Sequence, residues 1–112
     1  MALGKKSFDT PDETMAPNDK QSVAVVTLGD KKFYKVTIQP GWRWTTDMKP
    51  VAGTDTCQMD HLMYVLSGKV GVKMDDDGAE LEYGPGDVVS IPPGHDGWTI
   101  GDEPAVWVEL PH

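Results

Sequence analysis

Past Ser22 the chain never runs far without a turn signal. Gly29-Asp30, Pro40-Gly41, Ser67-Gly68, Asp75-Asp76-Asp77-Gly78, Gly84-Pro85-Gly86, Pro92-Pro93-Gly94 and Gly101-Asp102-Glu103-Pro104 cut it into short segments. Glycine and proline supply the backbone angles that tight turns need, and the prolines fall at segment ends, where a sheet tolerates them. Between the turns the texture is that of strands. Phe33–Ile38 sets Tyr34, Val36 and Ile38 against Phe33, Lys35 and Thr37, and Lys69–Met74 alternates Val70, Val72 and Met74 with Lys69, Gly71 and Lys73. Ser22–Leu28, Ala79–Tyr83, Asp87–Ile91, Trp98–Ile100 and Ala105–Leu110 read as further strands, and no segment shows a helical period. Residues 47–56, rich in Pro, Gly, Thr and Asp, read as a loop. The expectation is an all-β sandwich or barrel.

Cys57–Leu66 is the most apolar of these segments, and Leu62-Met63-Tyr64-Val65-Leu66 is apolar on both alternating faces, so both faces need cover. One face carries Cys57, Met59, His61 and Met63, and is expected to point into the barrel. The other carries Leu62, Tyr64 and Leu66, too many large side chains for a barrel that has one inside. A second copy of the chain is the expected cover, giving a homodimer, with the arm and its anchor Phe8 as a partial substitute.

Residues 1–20 lack apolar periodicity and contain Pro11 and Pro17, so they are expected to form an extended N-terminal arm ahead of a barrel domain spanning 21–112. At 112 residues there is room for one core. Hydrophobic residues at 38% and charged ones at 25% describe a globular chain rather than a disordered one. No apolar run approaches the ~20 residues of a membrane helix. The opening residues carry Lys5 and Lys6 with no apolar stretch behind them, unlike a secretory signal. Cys57 is the single cysteine and cannot close an intramolecular disulfide, which points to the cytoplasm.

Charge is uneven along the chain. Residues 1–73 hold 10 Lys and Arg against 8 acids, a balance of +2, whereas 74–112 hold 10 acids and no Lys or Arg. Phosphate backbones need a basic footprint, so nucleic acid is excluded as a partner. The acidic half reads as a solvated surface, or as a complement to the more basic half of another copy.

Two segments carry more than fold information. His61-Leu62-Met63-Tyr64-Val65-Leu66-Ser67-Gly68 and Gly86-Asp87-Val88-Val89-Ser90-Ile91-Pro92-Pro93-Gly94 resemble the two signature motifs of the cupin family, G-x5-H-x-H-x3/4-E-x6-G and G-x5-P-x-G-x2-H-x3-N. The pattern from Gly41-Trp42-Arg43-Trp44 to Gly94-His95-Asp96-Gly97-Trp98 is similar to that of small bacterial cupin-2 proteins. The resemblance implies a double-stranded β-helix, that is, a jelly-roll barrel with one open mouth. It also implies a metal (Mn, Fe, Ni or Zn) on three His and one Glu. The motif glycines and prolines are present, but the ligand places fall on other residues: the Glu place on His61, the His places on Asp55 and Cys57 or on Thr54 and Thr56, and the last His place on Gly97.

Other residues present could rebuild a site. Asp55, Cys57 and His61 share strand parity, and His95 and Asp96 stand one or two residues ahead of the last ligand place. Cys57, His61 and His95 would favour one divalent ion, Zn or Fe(II). The alternative is an interior without metal, in which Cys57 is a small buried hydrophobe, Asp55 belongs to the loop, and His61 is hydrogen-bonded core. The expected pocket is lined by Trp42, Trp44, Cys57, Met59, His61, Met63, Val72, His95 and Trp98. Arg43, the single arginine, reads as a surface ion pair.

His61 is the residue best suited to act as general base if the chain is an enzyme. Two functions therefore stay open: a small-molecule-binding cupin enzyme of dioxygenase, isomerase or lyase type, or a non-catalytic binding or sensing module. A cyclic-nucleotide-binding jelly roll would need a helix and an arginine in a phosphate cassette, and neither is visible. Asp75-Asp76-Asp77-Gly78 lacks the alternating ligands and closing Glu of a calcium loop and reads as a hairpin turn.

Overall fold

A computed structural model describes residues 3–112; Met1 and Ala2, the first two residues of the expected arm, lie outside the described residues. Nine strands follow in order: β1 (Glu13–Asn18), β2 (Gln21–Leu28), β3 (Lys31–Ile38), β4 (His61–Ser67), β5 (Lys69–Met74), β6 (Glu80–Tyr83), β7 (Val88–Ile91), β8 (His95–Ile100) and β9 (Ala105–Glu109). They form two antiparallel sheets. The larger runs β1-β2-β3-β9-β4-β7 and the smaller β6-β5-β8. This is the jelly-roll arrangement expected of the sequence.

Alternation decides what fills the space between the sheets. Val23 and Val25 of β2, Val36 and Ile38 of β3, Met63 and Val65 of β4, Val89 and Ile91 of β7 and Ala105 and Trp107 of β9 are all buried. Each pair sits two residues apart and so shares a face. Val70 and Val72 face them from the smaller sheet and belong to the same core cluster.

Three segments depart from the sequence reading. The expected strand Cys57–Leu66 begins only at His61, with Cys57 held apart in an isolated bridge to His95. Glu13–Asn18, within the expected arm, pairs with β2 and extends the larger sheet, turning at Asp19-Lys20. Ahead of it, Lys6 and Phe8 border a small cleft together with Val26, Leu28 and Phe33. Residues 44–52, read mostly as loop, are helical: a π-helical turn over Trp44–Met48 runs into a single α-turn, α1, over Lys49–Ala52. Pro50 stands in the first turn of α1 and Gly53 ends it in the left-handed conformation, φ 74°. That pairing of proline inside the start with glycine past the end is a helix signature too short to register as a period. No helix among the described residues is long and apolar enough to cross a membrane.

Candidate metal centre

Cys57, His61 and His95 come together between the sheets. Cys57 precedes β4 and is fixed by backbone pairing across to the start of β8: its N–H donates to the His95 carbonyl at 2.8 Å, and the Gly94 N–H donates to its own carbonyl at 2.7 Å. His61, the first residue of β4, turns inward by the same parity that buries Met63. His95 opens β8 and is buried. One ligand atom from each of the three lies within 4.8 Å of the others.

Both imidazoles are oriented from behind. His61 Nδ1 lies 2.8 Å from each carboxylate oxygen of Glu109, and the Trp107 indole N–H donates to Glu109 Oε2 at 2.9 Å. His95 Nδ1–H donates to the Pro92 carbonyl at 2.7 Å. Each ring thus spends its Nδ1 on an outer partner and keeps Nε2 for the interior, the tautomer a metal-binding histidine needs. The rings meet edge to face with centroids 5.0 Å apart, and His61 Nε2 lies 3.6 Å from Cys57 Sγ. The donor set fits a divalent ion of intermediate softness.

The electrostatics follow from these contacts. Burial alone would raise the Cys57 thiol, but hydrogen bonds from His61 and His95 outweigh it and bring it down to about 6. Burial likewise opposes charge on His61, yet its hydrogen bonds to Cys57 and Glu109 lift it to about 9. Tyr83, buried near Glu109, is held well above the ordinary phenol value by burial first and by the carboxylate second.

The three donors open onto a cavity of about 530 Å³, within the size range of small-molecule pockets. Trp42, Trp44 and Met63 line it as buried walls, and Met59, 61% exposed, lies at its rim. Val72 also lines it.

Trp98 does not. It stands three residues after His95 on β8, an odd step that turns it to the opposite face of the strand. There it covers Gly71, where a Cβ would come within 2.4 Å of the indole. Arg43 stacks on the outer side of Trp98, 4.8 Å from the ring centroid, and pairs with Asp96 at 2.8 Å. Asp96 is thereby committed to the outside, as is Asp55, exposed and paired with Lys49. Glu109, which the sequence reading did not single out, is the one carboxylate in contact with His61 among the described residues. No local spacing marks it, because its partner lies 48 residues away.

No curated protein sequence matches the chain. Among solved structures, oxalate decarboxylase from Bacillus subtilis (an S161A mutant) is 23% identical with a TM-score of 0.61, over 89% of this chain but 27% of its own. This chain therefore spans about a quarter of that enzyme. The polyketide cyclase of Streptomyces resistomycificus superposes with a TM-score of 0.68 at 16% identity, over 98% of this chain and 79% of the cyclase. A protein of unknown function from Rhizobium leguminosarum bv. viciae matches over 100% of both chains, with 22% identity and a TM-score of 0.62. These likenesses concern the fold. The model of the EutQ-like cupin domain matches residues 27–107, from the end of β2 into β9 and including the three donors, and the chain belongs to that family.

Proposed function

We propose that this chain is a metal-dependent cupin enzyme in which Cys57, His61 and His95 hold one zinc or ferrous ion against a small organic molecule in the cavity. The observation that carries the reading is the double anchoring of the imidazoles. Glu109 and the Pro92 carbonyl occupy both Nδ1 atoms, and both Nε2 atoms are left beside a thiolate-prone cysteine. Histidines that only fill a core have no need of converging free nitrogens. Three protein donors leave room on such an ion for a substrate oxygen, which it would polarise as a Lewis acid.

The surrounding residues have separable tasks. Glu109 keeps the His61 proton at Nδ1, and Trp107 holds Glu109 in turn. Trp42, Trp44 and Met63 keep bulk water from the donors. A free thiol in this role suits a reducing compartment such as the cytoplasm.

The test is the metal content of protein purified without chelating resin, read by mass spectrometry. Stoichiometric zinc or iron is expected in the wild type, with loss in Cys57→Ser and His61→Ala. Glu109→Gln is expected to weaken binding by about 10–100-fold. A wild-type protein that arrives without metal, takes up none on addition, and alkylates at once at Cys57 would overturn the proposal and leave a metal-free binding module.

A further inference from the structure

We infer that the molecule this cavity takes is an uncharged, ring-bearing compound with a single polar head, not a small dicarboxylate. The inference rests on reading the cavity as the substrate site. It follows from which charges reach that space. Tyr34, Trp42, Trp44, Tyr83 and Trp107 supply five aromatic walls. Within the walls His61 and Glu109 already satisfy one another, His95 is spent on the Pro92 carbonyl, and toward the chain end His112 is paired with Asp60.

The arginine that could have entered is turned away. Arg43 lies between Trp42 and Trp44 in sequence, yet while both indoles line the cavity, its guanidinium is clamped outside by Asp96 and Trp98. Thr45 reinforces the clamp, its N–H donating to Asp96 at 3.1 Å. Apart from its histidines, of which His112 is paired with Asp60, the lining holds one cation among the described residues, Lys32, on an exposed stretch of β3. A longer dicarboxylate would place one carboxylate at the donors and leave the second against indole and phenol rings with no partner, which is costly. Oxalate would crowd both charges at the donors and gain nothing from the walls. An aromatic ring in the same place gains offset or edge contacts with those walls. One polar head suffices, because the convergent donors are at one place only.

The experiment is calorimetric titration of zinc-loaded and of metal-free protein with two probes, 2-naphthol and oxalate. The expected result is a 2-naphthol dissociation constant at least about tenfold below that of oxalate on the loaded protein. The preference should persist without metal, since the walls carry it. Trp44→Leu is expected to weaken 2-naphthol binding and leave zinc content unchanged. Oxalate binding equal to or tighter than 2-naphthol on the loaded protein overturns the inference, whatever the variant does. A protein that takes up no zinc but still prefers 2-naphthol would sink the metal reading and support this one.

Discussion

Cys57 and His61 hold each other's charge. In the metal-free protein a thiolate at about 6 and an imidazolium at about 9 coexist across neutral pH, with Glu109 on the far side of the ring. The His61 share of stability is complete below its ordinary 6.5 and vanishes as pH rises through about 9. The Cys57 share is complete above its ordinary 9.0 and vanishes as pH falls through about 6. As pH changes between 6.5 and about 9 the two shares offset each other. These groups are therefore expected to leave the melting temperature of metal-free protein flat across that window and above it, with a small drop only as pH falls from 6.5 through about 6. Alkylation of Cys57 followed against pH should show a midpoint near 6, moving up in His61→Gln; a midpoint near 9 in the wild type would contradict the pairing. Strand parity placed Cys57, Met59, His61 and Met63 inward together. It holds for His61 and Met63 on β4, whereas Cys57 is brought in by its bridge to His95, and Met59, off the strand, is 61% exposed. Glu109 was not legible in the sequence, because only the sheet order that sets β9 beside β4 brings it to His61.

Strand β5 shows what a glycine contributes when its neighbour is large. Val70, Gly71 and Val72 are all buried, although Gly71 faces away from the core, because Trp98 of β8 lies over it in direct register. Gly71→Ala is expected to cost about 1–3 kcal/mol through overpacking and to lift Arg43 from its stack. In the Gly71→Ala, Trp98→Ala double variant the two costs should fall short of their sum, measurable by denaturant unfolding of the four proteins. Additive costs would mean that the indole is not what excludes the methyl group. The strand itself was legible, with Lys69–Met74 recovered as read. Trp98, expected in the pocket for its aromatic ring, lies outside it because its odd step from His95 turns it to the other face of β8. The helical turns at 44–52 are not legible in the sequence because nine residues give no period.

The outer face of the larger sheet is left partly bare. At one end, away from β4, Phe8 shares a small cleft with Val26 and Phe33. Further along, Tyr64 stands in register with Val88 on one side and Val108 on the other, and Leu66, Tyr64 and Val88 are 44%, 43% and 68% exposed. Lys35, half-buried, ends the row opposite Val108, and Asp87 stands beside Val88 at the other end. β7 is also a free sheet edge. A second copy related by a two-fold axis would cover the apolar row and bring Lys35 of each copy toward Asp87 of the other. Light scattering at micromolar concentration is expected to give twice 12.2 kDa, falling to the monomer in Tyr64→Glu. A wild-type monomer would show that this strip is simply solvated.

Leu110, Pro111 and His112 border the cavity, with His112 Nε2 3.6 Å from Asp60 across the opening. Anything fused after His112 therefore emerges at the doorway of the donor cluster. A polyhistidine purification tag at that end would bring extra imidazoles to the same opening and compete for the very ion whose presence is to be measured. Lys6 and Phe8 run along the outer face of β2 and β3 instead. A tag ahead of them keeps its imidazoles off the doorway, and is the configuration in which a metal assay of this protein reports on Cys57, His61 and His95 alone.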